Sequence, residues 1–364
     1  MDQSSRFTPS ITLRFRFFQG RSGYVWISGS ASPRPLNSPV MSAPTAELEL
    51  LPSHLLAARR GIAPYIRHTP LEPNASLSKL AGSPVLLKLE NLQVTGSFKP
   101  RGSLHKVLSV RASRPDAEFI APTAGGHGIG LAYAAATLGA KAHIYLPRSA
   151  DPDKLRMIQE YGAHLEYFDD VPQAREAARR VASERGYTFL SAYNDRHMME
   201  GGGTVALEIL EDCPHVETVL VGVGGGGLLA GMSVALKAAN PRIRLIGVQP
   251  ETSAVLALWH REGHPVDVQD VRPSIAEGIG ARVERELLPW PYLQRHVDEF
   301  VLVSDDELRE AMRWCVADTK YILEPSAAAG LAALRKLMPR PLGPTVVVLT
   351  GRNVSWRRFE ELVR

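Results

Sequence analysis

Only two cysteines, Cys213 and Cys315, occur among the 364 residues. Neither belongs to a Cys-x-x-Cys pair, which argues against a cysteine zinc site or a disulfide framework and fits a reducing compartment. Charge of one sign is not concentrated: Lys and Arg number 42 against 38 Asp and Glu, a formal net charge of +4. No Lys/Arg run of the kind that tracks a phosphate backbone is present, so nucleic acid is not an expected partner. No repeat at solenoid spacing appears. Walker A with its Lys-Ser/Thr is missing, as is Gly-x-Gly-x-x-Gly in a first βαβ unit. The uncharged stretch from Thr218 to Leu236 is long enough to span a bilayer, but it holds six glycines, four of them consecutive. It reads as a buried strand, a glycine turn and a buried helix, so no membrane association is expected.

What is present bounds the fold. Hydrophobic residues make up 45% of the chain, enough for one large or two modest domains. Residues 1–40 carry five Arg, several Ser and a single acid, Asp2. That pattern suits a transit peptide, but an extension upstream of a start at Met41 is the preferred reading. Residues 1–41 are therefore expected to be a leader outside the folded body, and a cytoplasmic location is the expectation.

From residue 85 onward, short apolar runs alternate with helical periodicity. Strands are expected at 85–89, 118–121, 141–146, 218–223, 243–248 and 345–349. Helices are expected at 99–110, 152–161 (stopped by Gly162), 171–185 (before Gly186) and 228–239. Ser304-Asp305-Asp306-Glu307 spells a capping box. Alternating strands and helices imply α/β architecture, with parallel sheets covered by helices. Ligands on such sheets bind at the carboxyl ends of strands. The glycine turns at 125–128 and 224–227 and the end of the last strand at Thr350 all fall there.

Gly224-Gly225-Gly226-Gly227 follows an apolar strand and opens a helix. Without side chains, its N–H groups can converge on a phosphate at a helix N-terminus. Such a turn also arises simply to let a helix pack closely on a strand. Lys99 lies in Thr95-Gly96-Ser97-Phe98-Lys99-Pro100-Arg101-Gly102. Most lysines are solvated surface groups, but this one follows a glycine turn and starts an apolar helix. The helix N-terminus and the cationic Arg101 are expected to favour its neutral amine, the form that attacks an aldehyde. Pyridoxal 5'-phosphate (PLP) requires both features together.

The segment Leu89–Gly102 resembles the lysine segment of fold-type II PLP enzymes, in particular the threonine/serine dehydratase branch. Gly201-Gly202-Gly203-Thr204-Val205-Ala206-Leu207-Glu208, Val223–Leu228, Ile275-Ala276-Glu277-Gly278 and Glu324-Pro325-Ser326-Ala327 match four further signatures in order. The likeness runs from about Ala58 to the end. It implies a two-domain, tryptophan synthase β-like α/β fold. The large PLP-binding domain would be 42–120 and 188–364, and the small domain 121–187. A homodimer is common in the family.

By the same resemblance, Lys99 binds PLP covalently and then removes the substrate Cα proton. Phe98, Gly126, Gly224–Gly227 (Gly224, Gly225, Gly226, Gly227), Leu228 and Thr350 contact the cofactor, with Thr350 facing the pyridine nitrogen. Thr123, Ala124, Gly125 and His127 grip the substrate carboxylate, although His127 suits a structural role equally well. A neutral hydroxyl at 350 makes a weaker electron sink than a carboxylate would. Prompt β-elimination from L-threonine or L-serine, giving a 2-oxo acid and ammonia, is then favoured over transamination. Three departures stand out. Gly126 replaces an Asn that donates to the cofactor, Ala124 lacks the hydroxyl that related racemases use, and Arg352 replaces a Gly. Arg352 leaves room for a hydroxyectoine-derived or other β-hydroxy amino acid as substrate; Gly126 leaves room for a catalytically weak PLP-binding homologue. Gln249 replaces an acid of a divalent-metal site, so no metal is expected. The motifs of cysteine synthases, Ser-x-Lys-Asp-Arg and Gly-Thr-Gly-Gly-Thr, are not found. The chain stops shortly after Asn353, so a regulatory domain with isoleucine feedback is not expected either.

Overall fold

The computed structural model describes residues Glu49–Arg364, a single compact unit, apart from Ala124, Ala281 and Pro339. The expected leader at residues 1–41 and the expected carboxylate contact at Ala124 lie outside the described residues.

Among the described residues, ten strands form two sheets. In chain order they are β1 (Leu71–Pro73), β2 (Val85–Lys88), β3 (Phe119–Pro122), β4 (Ala142–Pro147), β5 (His164–Phe168), β6 (Thr188–Phe189), β7 (Thr218–Gly222), β8 (Arg244–Pro250), β9 (Glu299–Val303) and β10 (Thr345–Val348). The larger sheet runs β1-β2-β10-β7-β8-β9. Only its edge strand β1 is antiparallel. The smaller sheet runs β5-β4-β3-β6 and is wholly parallel. β3 begins before residue 121 and β6 lies beyond 187, so the smaller sheet reaches past the expected 121–187 span on both sides.

The sequence of β7 and β10 explains their place. Thr-Val-Leu-Val and Thr-Val-Val-Val are β-branched and apolar on both faces, and every one of these residues is buried. One apolar layer joins the sheet to helices Arg196–Asp212, Gly227–Ala239 and Trp290–His296. On the opposite face lie Asp305–Thr319 and Pro325–Leu337. The smaller sheet is sandwiched likewise. Gly126–Leu138 and Pro152–Glu160 cover one face, and Val171–Arg185 covers the other.

The uncharged 218–236 stretch resolves into β7, a glycine turn and the helix Gly227–Ala239. Among the described residues no helix is long and apolar enough to cross a membrane. Gly186 ends its helix in the left-handed region at φ 70°. Ser304 and Glu307 form the reciprocal cap, with the Glu307 N–H donating to Ser304 Oγ at 3.2 Å and the Ser304 N–H to Glu307 Oε2 at 2.8 Å. The helix Lys99–Arg111 packs against both Gly126–Leu138 and Arg196–Asp212. It therefore joins the layers of the two sheets and carries Lys99 at its first residue.

Candidate functional site

Lys99 is fixed by its neighbours before its chemistry is considered. Ser97 bridges Gly351 in antiparallel fashion. The Phe98 N–H donates to Thr350 O at 3.2 Å, and the Arg352 N–H donates to Gly96 O at 2.8 Å. Asn353 Nδ2 donates to the Thr95 carbonyl at 3.0 Å. The run after β10 is thus stapled along the lysine segment, and Thr350, buried at 6% exposure, lies beside it. Phe98 caps the helix, and the Lys99 ammonium stands 4.7 Å from its ring centroid.

The Lys99 amine is lowered from its ordinary value to about 8. Burial is the cause; Glu324 opposes it. The neutral amine is favoured as expected, but Arg101 is not the reason. Its guanidinium is fully buried on the other side of the helix, clamped between two carboxylates. Nε and Nη2 donate to Glu90 at 2.8 Å each, and Nη1 and Nη2 donate to Glu208 at 2.6 and 2.9 Å. Thr204 Oγ1 accepts at 3.1 Å, and Lys88 Nζ lies 2.7 Å from Glu208. The Thr204 and Glu208 signature therefore holds the lysine helix. Gly201 lets the two helices touch: a Cβ there would lie 2.6 Å from the Arg101 carbonyl carbon.

The four-glycine turn sits between β7 and its helix, with Gly226 at φ 83°. A Cβ on Gly225 would overlap the Tyr193 ring, and one on Gly224 would lie 3.0 Å from the Gly278 carbonyl. The turn is boxed in by packed protein, so it tolerates no side chain, and the N–H groups of Gly224, Gly225 and Gly226 donate to no backbone carbonyl among the described residues. Leu228, the second residue of that helix, is buried. The signatures at 275–278 and 324–327 meet where the Gly278 N–H donates to Ser326 Oγ at 3.0 Å.

At the end of β3, Thr123 Oγ1 accepts from the Gly125 N–H at 3.0 Å. Gly126 opens the next helix, and a Cβ on it would meet nothing within 4 Å. His127 is buried, with Nε2 3.3 Å from the Leu190 carbonyl. A carbonyl only accepts, so Nε2 carries the proton. Nδ1 has no partner among the described residues. Burial and Lys99 lower its pKa to about 4, so the ring is neutral near neutral pH. Glu324, Lys154, Glu277 and Ser326 line a cleft of about 830 Å³. Arg352 is exposed and lines an adjoining cavity of about 550 Å³. Gln249 is spent on structure: Nε2 donates to Val223 O at 3.1 Å and Oε1 accepts from the Ala257 N–H at 2.8 Å. Among the described residues no cluster of three or more His, Cys, Asp or Glu could hold a metal ion.

These residues fit the aldehyde and phosphate of pyridoxal phosphate. A desolvated amine, a glycine turn whose N–H groups lack backbone acceptors, and the unpartnered buried Ser97 Oγ and His127 Nδ1 are what such a cofactor needs. The family model described as pyridoxal-phosphate dependent enzyme matches residues 62–351. The chain belongs to that family, and its cofactor is pyridoxal phosphate. It is 34% identical to the L-threonine ammonia-lyase of Thermotoga maritima over 84% of this chain and 76% of that protein. It is 38% identical to the catabolic L-threonine dehydratase of Staphylococcus aureus, covering 84% of this chain and 85% of that one. Maize serine racemase superposes with a TM-score of 0.80 at 29% identity, covering 85% and 95% of the two chains.

Sequence reasoning assigned no role to Tyr193, Lys154 or Glu324. Glu324 was within reach as part of a matched signature. Tyr193 and Lys154 carry no local signal, since only folding brings them to the glycine turns.

Proposed function

We propose that this enzyme dehydrates and deaminates a β-hydroxy amino acid, L-threonine or L-serine, to a 2-oxo acid and ammonia. The observation that carries the reading is the desolvated Lys99 amine, lowered to about 8 and stapled beside Thr350, a hydroxyl rather than a carboxylate. The relatives named as threonine ammonia-lyase and dehydratase support the same chemistry.

When bound, the cofactor supplies the sink for the electron pair released at the substrate Cα. The protein does the rest. Lys99 holds the aldehyde end and accepts the Cα proton. The N–H groups of Gly224–Gly227 and the helix start at Gly227 and Leu228 hold the phosphate. Phe98 and Gly126 would line the cofactor's site, and the Thr350 hydroxyl would offer a neutral partner to the ring nitrogen. Thr123, Ala124, Gly125 and His127 would frame the substrate carboxylate at the start of this helix; the Thr123 and Gly125 N–H groups are bonded to the Tyr145 carbonyl and Thr123 Oγ1 and would have to exchange those partners to donate to it. The neutral His127 ring adds no charge there.

The two sheets are the cores of two domains: a small one built on β3–β6 and a large one built on the other six strands. A homodimer and a cytoplasmic location complete the proposal. Racemisation is the second reading, favoured by the likeness to serine racemases and opposed by Ala124, which has no hydroxyl to protonate the opposite face.

The test is a panel of hydroxy amino acids, including hydroxyectoine-derived ones, given to purified protein with added PLP. Release of 2-oxo acid from threonine or serine is the expected result. D-serine without keto acid would establish the second reading, and no product from any substrate would overturn both.

A further inference from the structure

We propose that Glu324 is the proton-sharing partner of Lys99, a positioning residue that sets how readily the lysine amine gains and gives up its proton. The proposal rests on the PLP reading and deepens it. Glu324 stands at the N-cap of the helix Pro325–Leu337, yet its side chain makes no cap hydrogen bond. Its backbone N–H is the part tied down, donating to Gly351 O at 3.2 Å.

The carboxyl group instead turns onto Gly351, where it would collide with any Cβ. Ser97 Cβ lies 3.0 Å from that same Cβ position. The carboxyl is thereby set against the staple that holds the lysine segment to Thr350. It makes no hydrogen bond or ion pair among the described residues, although it lines a cleft of about 830 Å³. Glu324 is half-buried, and a carboxyl so placed that neither caps its helix nor pairs with a cation calls for a task.

The groups that face it explain the task. Lys99 approaches from the helix Lys99–Arg111, Lys154 from Pro152–Glu160, and Glu277 from the loop that Gly278 ties to Ser326. Burial raises Glu324 above the usual carboxylate range; the two lysines pull it down and Glu277 pushes it up. Lys99 in turn is lowered by burial and raised by Glu324. His127 faces Lys99 from the helix Gly126–Leu138 and is neutral. An amine and a carboxyl close enough to influence one another in a half-buried site can hold one proton between them. Carboxyl with amine, and carboxylate with ammonium, have the same total charge, so moving the proton adds none to the crevice. Lys99 must be neutral to bond the aldehyde carbon, whose oxygen leaves as water. It must carry a proton after taking one from the substrate Cα. Glu324 supports the second state through its negative charge and permits the first by becoming neutral.

The experiment uses the full chain stripped of cofactor, with PLP uptake followed by absorbance as a function of pH. In Glu324→Gln the charge that raises the Lys99 amine is gone. The midpoint of the uptake profile then falls by about a unit, and uptake at pH 6 quickens roughly tenfold. Turnover falls in the same variant, because the protonated lysine has lost its support. A variant that only loosened the fold would slow both. Should Glu324→Gln not fold, Glu324→Asp draws the charge back by one methylene and lowers the midpoint by less. An unmoved midpoint in a folded variant overturns the role of Glu324 alone. If the parent chain takes up no PLP, the functional reading falls and this inference with it.

Discussion

The Phe98 N–H donates to the carbonyl oxygen of Thr350 across 3.2 Å. One hydrogen bond therefore links the residue preceding the reactive lysine to the residue proposed to face the ring nitrogen. Because the backbone makes the link, the Thr350 side chain can be changed without releasing Lys99. Thr350→Asp should keep PLP bound but hold the ring nitrogen protonated and prolong the carbanion. Keto-acid release at saturating PLP is expected to slow by about tenfold or more, ~1.4 kcal/mol in the barrier. A parent-like rate would refute the neutral-hydroxyl account of elimination.

Arg101 forms two forked pairs, one with Glu90 and one with Glu208, at zero exposure. Arg101→Met leaves Glu90 buried without its counter-charge, and Glu208 with only Lys88 and the 3.7 Å Asp212–Lys88 pair nearby. Breaking a buried pair from one side costs about 3–5 kcal/mol. Denaturant melts should show that loss. The double variant Arg101→Met, Glu90→Gln should recover part of it, because the carboxylate left without a counter-charge has been removed while Glu208 keeps Lys88.

The same residue marks where the sequence stopped being legible. The strands and helices of the α/β pattern were readable because each is specified by its own periodicity and caps. Examples are Val171–Arg185 ending at Gly186 and the Ser304–Glu307 box. Lys99 and the four glycines were readable because both lie within unbroken motifs. The partner of Arg101 was not. Glu208 lies 107 positions away along the chain, and sequence proximity to Lys99 suggested an electrostatic role that burial actually fills. Glu324 was visible as a motif letter, but its carboxyl could be placed beside Gly351 only by folding.

The four-glycine cradle yields a steric prediction. A Cβ on Gly225 overlaps the Tyr193 ring, so Gly225→Ala must push apart the turn and the tyrosine. Overpacking of this kind costs about 1–3 kcal/mol. Equilibrium dialysis should show weaker PLP binding, and thermal melts a lower midpoint. Unchanged PLP affinity would argue against the turn as the phosphate site.

Gly126 predicts the opposite outcome. A Cβ there meets nothing within 4 Å, and its φ lies outside the left-handed region that favours glycine. Gly126→Asn should therefore fold with a stability change within about 0.5 kcal/mol. Its amide would restore the donor expected at this position, and the visible band of the PLP-loaded protein should move. A folded variant with an unmoved band would place that side chain away from the cofactor.

His127 gives the pH dependence a definite sign. Its folded-state pKa is about 4, below the ordinary 6.5. Between those values the unfolded chain binds a proton that the folded chain refuses, so stability falls as pH drops from 6.5 to 4. The slope from this one group is at most about 1.4 kcal/mol per pH unit. Other windows lie mostly outside this one. Asp195 and Glu118 are held down at about 2 from 3.8 and 4.5, and lose their contributions only at lower pH. Lys99, lowered from 10.5 to about 8, makes stability rise with pH across that alkaline range. Denaturant unfolding of the cofactor-free chain at pH 6.5, 5 and 4 carries His127 together with His296, which burial also lowers, and the upper edge of Glu118, so the difference between parent and variant isolates the histidine. His127→Gln should flatten the curve over that interval, whereas an equally steep curve would show that the acid sensitivity originates elsewhere.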